Sequence, residues 1–317
     1  MKKKLIIFVS LFLCLIVLIG GVYVDHFYLS AKKTADSIYK PLKSDKTKTV
    51  KAAATTAPED GSPKYEKPIS ILLMGVDQRK NDPGRSDTLI VLTLNPQKKT
   101  MQMISIPRDT RATLGNTGTI DKINAAYFYG GPDLAVQTVD QFLNIHVDYY
   151  IRINMQGLEA LVNALGGITV DSPISWHDEG YYKKGYYYKK GIIQLDGAQA
   201  LGYVRMRHLD PLGDFGRNKR QRLVISAVVS KAASYSGFSK YQSILDAIQQ
   251  NVITNITFDE MKNIALNYRS ARQHVKTYEV QGEGKIVNKI WYLIVDEQER
   301  QKVHQMIETQ LTDDTGV

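Results

Sequence analysis

Arginines and aspartates recur along this chain in spacings suited to holding phosphate, and the densest stretch runs from Tyr203 to Arg222. It contains Arg205, Arg207, Arg217, Lys219, Arg220 and Arg222, opposed only by Asp210 and Asp214. Arg205 and Arg207 are two apart, so an extended segment would present both from one face. Arg217 and Gln221 are four apart and would share a face of a helix. Upstream lie Gly75-Val-Asp-Gln-Arg79, Arg85-Ser-Asp-Thr88 and Ile106-Pro-Arg-Asp-Thr110. Guanidinium forks match phosphate oxygens two at a time, and carboxylates held near phosphates usually share a divalent cation with them. The combination suggests chemistry on a diphosphate. For the downstream stretch alone, a solvated basic surface is an equal reading.

Asp77 follows the last apolar residue of one strand-like run, and Asp87 precedes the first of the next. If those strands pair antiparallel, both carboxylates meet at one sheet edge, where they repel unless a cation lies between them. Taken alone they are ordinary turn aspartates. Arg79 and Arg85 in the connecting loop, with Arg108 and Asp109 ending a third strand, put anion and metal ligands at the same edge. Lys122 and Asn124 could add donors there or cap a helix. Arg217 falls at the start of a helix expected over 218–234, where the macrodipole disfavours a cation; a bound anion would resolve that conflict. His208 reads as a structural neighbour of the cluster. The run Tyr181 to Gly191 alternates tyrosine and lysine, as an exposed hairpin would, or as a platform for sugar rings or an anionic polymer. The chain has no Gly-x-Ser-x-Gly elbow, His-Glu-x-x-His, Walker loop or Gly-x-Gly-x-x-Gly.

The elements that must position these residues alternate in kind. Ile69–Val76, Asp87–Leu94 and Met101–Ile106 read as strands, with a hairpin turn at Asn95-Pro-Gln-Lys-Lys. Helices are expected over 132–143, from the Pro132 start signal, and over 155–165, ended by Gly166-Gly167. Strands at 149–153 and 168–170 flank the second helix. Later helices read as 197–204, 218–234, 240–251, 258–268 and 297–311, with strands near 275–280 and 290–294. Interleaving of this kind predicts an α/β fold: a mixed β-sheet with helices on both faces.

The ends of the chain read differently. Lys2-Lys-Lys4 precedes twenty uncharged residues, Leu5 to Val24. At about 1.5 Å per residue that run matches the roughly 30 Å of a bilayer's hydrocarbon core. The lysines favour a cytoplasmic N-terminus and an exported C-terminal part. A cleaved signal peptide is the competing reading, but no clear small-x-small site follows. Residues 1–29 thus read as cytoplasmic stub and signal-anchor, 30–67 as a flexible extracytoplasmic tether, 68–312 as one catalytic domain and 313–317 as a tail. Cys14 is the only cysteine and lies in the apolar run, so thiol catalysis and disulfides are excluded from the exported part. Residues 1–67 hold 12 lysines and 6 acids, leaving 29 basic and 26 acidic residues beyond them. The net +9 therefore needs no nucleic-acid partner to explain it.

The ordered set of segments resembles the LytR–CpsA–Psr family of bacterial cell-wall proteins. It comprises Leu73-Met-Gly-Val-Asp77, Arg85-Ser-Asp-Thr88, Ser105-Ile-Pro-Arg-Asp109, Lys122-Ile-Asn-Ala125, Leu165-Gly-Gly-Ile-Thr-Val170, Leu195 to Arg207 and Asp214 to Gln221. The resemblance implies a three-layer α/β/α sandwich with an apolar pocket for a polyprenyl chain. Arginines and Mg²⁺, with Mn²⁺ as the alternative ion, would hold a diphosphate at its mouth. Carried over by position, Asp77 and Asp87 would bind the metal, and Arg79, Arg85, Arg108, Arg205, Arg207, Arg217 and Gln221 the diphosphate. Arg108, Arg205, Arg207 and Asp214 would be catalytic, Asp214 as base or as orienter of an arginine. The implied activity is phosphotransfer of an anionic glycopolymer, with wall teichoic acid favoured, from a polyprenyl-diphosphate carrier to peptidoglycan. Hydrolysis of the same carrier, a non-catalytic wall-polymer or lipid-binding module, and a transcriptional regulator are the competing classes. The last conflicts with the exporting anchor.

Overall fold

The structure is a computed structural model and describes residues 25–43, 66–78, 82–234 and 240–312. The apolar run 5–24, Arg79 and the tail 313–317 lie outside these residues. Among the described residues no helix is long and apolar enough to cross a membrane.

Six strands form a mixed central sheet in the order β11-β6-β1-β2-β3-β12. β1 (Ile69–Val76), β2 (Ser86–Asn95) and β3 (Thr100–Ser105) are an antiparallel meander, joined by the expected turn at Asn95. β6 (Tyr149–Asn154) runs parallel to β1, β12 (His274–Glu279) runs parallel to β3, and the short β11 (Val252–Thr254) closes one edge. The α/β reading with a mixed sheet therefore holds. Strands of alternating parity bury both faces. Leu72, Met74 and Val76 lie with Leu89, Val91 and Ile104 in the core shared with α2 (Ala125–Leu143) and α8 (Glu297–Leu311). Ile69, Ile71 and Leu73 point the other way, towards Ile264 of α7 (Phe258–Asn267), Tyr268 and Ala271.

A second cluster is built by α3 (Met155–Ala164), α4 (Gly197–Arg205), α5 (Gly213–Ala232) and the ribbon β7–β10 (Ile168–Ser172 with Gly191–Leu195). α5 is joined to the main sheet by polar contacts. Asn218 donates to Glu279 at 2.6 Å, and Arg222 reaches Ser105 at 2.5 Å and Glu279 at 3.3 Å. Burial raises the Glu279 pKa, and Asn218 and Arg222 offset this only in part. A carboxyl whose folded pKa lies above its unfolded value binds protons more tightly when folded, so its contribution to stability falls as pH rises from about 4.5 to the folded value. Urea unfolding of wild type and Glu279→Gln should therefore diverge with pH across that window, with wild type losing relative stability as pH rises. Parallel profiles would contradict this.

Two expectations need correction here. Residues 30–43 are not tether. The chain is helical from residue 25 to 38 (α1), burying Thr34, Ala35 and Ile38 on one face. Tyr39 then bridges Thr254, Lys40 donates to the Thr254 carbonyl at 2.7 Å, and Leu42 enters the main core. Composition missed this because alanine and threonine on a narrow helical stripe pack without large side chains. Residues 44–65 lie outside the described residues. Secondly, α2 begins at Ala125, not Pro132; Gly130 and Gly131 leave helical geometry and Pro132 restarts the helix.

Candidate functional site

The first half of the site is set by how β1 hands over to β2. Their register shifts between Gly75 and Val76. Beyond the shift, the backbone N–H groups of Asp77 and Asp87 both donate to the Arg85 carbonyl, at 3.3 and 3.0 Å. One oxygen thus gathers both carboxylate-bearing residues at a single sheet edge. Gly84 makes the turn at φ +78°, where an added Cβ would lie 2.6 Å from the Asp77 carbonyl oxygen. Gly84→Ala should therefore displace Asp77. We expect a loss of roughly a hundredfold in whatever turnover this edge supports. Far-UV circular dichroism should stay that of wild type.

Arg108 is the hub. Its Nη1 donates to Asp87 at 2.9 Å, and its Nε lies 3.5 Å from Asp214 and 3.7 Å from Asp109. Burial works to lower the Arg108 pKa, but Asp87, Asp214 and Asp109 together raise it. Lys122 pairs with Asp109 at 2.7 Å, so of the two expected donors there it is the one that joins the network. Asn124 does not: it is buried before α2, makes no side-chain cap, and its Oδ1 has no partner among the described residues. Arg85 stands exposed, its guanidinium 5.1 Å from the Phe128 ring centroid.

The second half comes from the basic stretch, in a conformation the two-residue spacing does not predict. Arg205 is the last residue of α4, a helix opened by the Asp196–Gln199 capping box, and Arg207 follows the Met206 cap. They are not neighbours on an extended face. Both still reach the edge: Arg205 lies 3.9 Å from Asp77 and Arg207 3.9 Å from Asp214. What holds them is Arg220, fully buried, which pairs with Asp210 and donates to the carbonyls of Tyr203 (3.0 Å) and Met206. Gly216 leaves the room Asp210 needs; a Cβ there would fall 2.1 Å from its Oδ2.

α5 starts at Gly213, five residues earlier than expected, so Arg217 sits one turn inside it and Asp214 occupies the first turn. The carboxylate, not Arg217, faces the positive helix end. Asp214 accepts from Arg217 at 3.0 Å. Arg217 is only 4% exposed and Gln221, one turn on, 7%. Burial, with Arg108 and Arg207 nearby, lowers the Arg217 pKa against the pull of Asp214, and its buried Nε has no partner among the described residues. A buried cation with a spare donor and cationic neighbours is stabilised by an added anion.

The network around Asp77, Asp87, Asp109 and Asp214 contains Arg108, Lys122, Arg205, Arg207 and Arg217. With Arg85 at the rim there are six cations for four carboxylates, a surplus that suits a doubly charged diphosphate diester. Among the described residues no three His, Cys, Asp or Glu side chains stand close enough to hold a metal by themselves. Two aspartates gathered on one carbonyl do fit an ion whose remaining ligands are substrate phosphates and water, as Mg²⁺ prefers.

A shallow cavity of about 300 Å³, lined by Glu179, Gly180, Tyr181 and His208, adjoins the arginines. Tyr181 comes from the tyrosine–lysine run and lies 6.0 Å beneath the Arg205 guanidinium. That run is not wholly an exposed ribbon. Tyr188 is buried and stacks on Trp176 at 4.5 Å, while Asp178 accepts the backbone amides of Tyr182 and Lys183, both at 2.7 Å. Sequence reasoning also missed Arg152, which reaches Gln78 at 2.9 Å and the Tyr127 hydroxyl at 3.0 Å. An arginine amid the apolar strand Tyr149–Asn154 was the available signal.

The model of the LytR_cpsA_psr family matches residues 26–309. A polyisoprenyl-teichoic acid–peptidoglycan teichoic acid transferase TagU of Bacillus mycoides is 41% identical over 304 residues, covering 96% of each chain. The crystal structure of B. subtilis TagU superposes with a TM-score of 0.65 at 38% identity, covering 80% of this chain and 100% of that one. TagT bound to LIIa-WTA gives 0.64 at 29% identity, covering 79% and 94%.

Proposed function

The chain belongs to the LytR–CpsA–Psr family, and from that premise we propose that it transfers teichoic acid from a polyprenyl-diphosphate carrier to peptidoglycan, forming a phosphodiester. The observation that carries this reading is the convergence of Arg108, Arg207 and Arg217 on Asp214 beside the Asp77–Asp87 edge. Relatives at about 40% identity bear the name of this reaction, and the charge surplus of the network suits its substrate.

In the proposed reaction a sugar hydroxyl of peptidoglycan, the muramic C6 hydroxyl by family analogy, attacks the polymer-side phosphorus. The bridging P–O bond breaks, and polyprenyl phosphate leaves and takes up the proton that the hydroxyl gives up, so that charge and atoms balance. Negative charge grows on the phosphoryl oxygens and the leaving group, where Arg108, Arg205, Arg207 and Arg217 supply fixed donors. Gln221 adds a neutral donor on the Arg217 face, and Arg85 covers the mouth. Arg79 would join them from the loop outside the described residues. Asp214 bridges three guanidinium groups, so we assign it as their orienter. Asp77 and Asp87 would hold Mg²⁺ or Mn²⁺, which when bound neutralises charge on the diphosphate oxygens.

The polyprenyl chain has a candidate bed. Leu73 pairs with Ile151, and Leu92 lies diagonally from them beside Ile71 on the same face; all three are only partly buried. A sheet interior that helices leave half covered suits an apolar ligand. Residues 5–24 would anchor the enzyme, with the N-terminus inside and the domain outside.

The test is a reconstituted assay with a defined polyprenyl-diphosphate glycopolymer, peptidoglycan and Mg²⁺. Polymer appearing on the glycan strand supports transfer. Release of free polymer phosphate at the same rate with and without acceptor would point to hydrolysis, and binding without turnover to a carrier module.

A further inference from the structure

We propose that the catalytic domain stands upright on the membrane, seated on the pole that carries residues 26–28 of α1, with the arginine mouth at the opposite pole and facing the wall. This rests on reading residues 5–24 as the membrane span.

The attitude follows from the directions of three helices. α5 starts at the mouth with Asp214 and Arg217 and runs twenty residues away from it, which is about 30 Å at 1.5 Å per residue. α6 (Tyr241–Asn251) runs back, because its end leads into β11, where Val252 pairs with Ile153. Asn154, the next residue, pairs with Val76 beside Asp77. Tyr241 therefore marks the pole remote from the mouth. Residues 26–28 of α1 lie at that same pole: the His26 imidazole is 3.0 Å from the Tyr241 hydroxyl, Phe27 meets the Tyr241 ring at 4.9 Å, and Tyr28 meets Phe258 at 5.2 Å.

Residue 25 follows directly on the apolar run, so the bilayer surface lies at this pole if that run spans. The side chains exposed there suit it. Tyr28 and Leu29 are 44% and 65% exposed, and Lys262 places its Nζ 5.2 and 5.6 Å from the Phe258 and Tyr28 rings. Aromatic rings beside a lysine suit the headgroup level of an anionic bilayer. The attitude is also held. The buried stripe of α1, the Tyr39–Thr254 bridge and buried Leu42 tie it to the domain at several points, where a coil would let the domain lie at any angle. The lipid diphosphate must then rise from the bilayer to the mouth, with its prenyl chain along the half-covered sheet face.

The test uses full-length protein in phosphatidylglycerol-containing vesicles, with Cys14→Ser as background and a fluorophore on Leu29→Cys, Lys262→Cys or Leu212→Cys. A headgroup nitroxide lipid should quench at positions 29 and 262 at least threefold more than at 212. Equal quenching at all three, or strongest quenching at 212, overturns the proposal. Energy transfer between labels on position 262 of two copies, without lipid quenching, also overturns it by assigning this pole to a second copy. If the protein fails to float with the vesicles, it is the span that is wrong. A six-residue Gly-Ser insertion after Asp25, where the proposed span meets α1, should leave flotation intact and reduce the quenching contrast; an unchanged contrast would remove α1 as the element that sets the attitude.

Discussion

Arg108→Ala is expected to lower polymer transfer by about a thousandfold or more, the scale on which preorganised donors and arginines act in phosphoryl transfer. The size follows from its position. Among the described residues Arg108 is the one side chain paired with both Asp87 on the acidic edge and Asp214 on the arginine side, so its loss removes a donor from the proposed diphosphate site and separates the two halves. Lys122 and Arg217 still hold Asp109 and Asp214, whereas Asp87 loses the one ion pair it makes among the described residues. Unfolding by urea should accordingly change little, while Mn²⁺ affinity measured by electron paramagnetic resonance should rise, because Asp87 no longer shares its charge with a cation. Arg108→Lys keeps the charge but cannot contact Asp87 and Asp214 with a rigid fork, and should recover only a small part of the rate. Wild-type transfer by Arg108→Ala would remove the residue from the mechanism.

The sequence carried the sheet because its strands are long apolar runs ended by Asp, Asn-Pro or Pro-Arg, and three of them form the meander that brings Asp77, Asp87 and Arg108 to one edge. It also placed Arg108 just after the third strand and Arg205 just after a helix, and both stand at or near such ends in the structure. It did not carry the geometry of Arg205 and Arg207. A spacing of two reads as one strand face, but the chain leaves a helix between them, and only the Asp210–Arg220 pair, ten residues apart, makes both converge. Nor did it separate structural from functional cations in the basic stretch. Arg220 and Arg222 look like Arg217 in the sequence, yet one is tied to Asp210 and the other to Glu279. Local charge density shows where guanidinium groups are concentrated, and long-range packing decides which of them face a ligand.

That distinction makes the second large prediction. Arg220→Met should destabilise the fold by about 3–5 kcal/mol, because it leaves Asp210 charged and buried without its partner. Arg220 is wholly inaccessible, sits 5.3 Å from the Trp176 ring and bonds two backbone carbonyls in the segment that carries Arg205. Burial lowers its pKa and Asp210 opposes this, as a single buried ion pair requires. The double variant Asp210→Asn, Arg220→Met removes both charges and should regain part of the lost stability in urea unfolding. Transfer activity should not return with it, since the Tyr203 and Met206 carbonyls no longer have the guanidinium that fixes where Arg205 and Arg207 point. A double variant that recovers both stability and turnover would mean that the pair only fills space, and that the two arginines find the diphosphate without it.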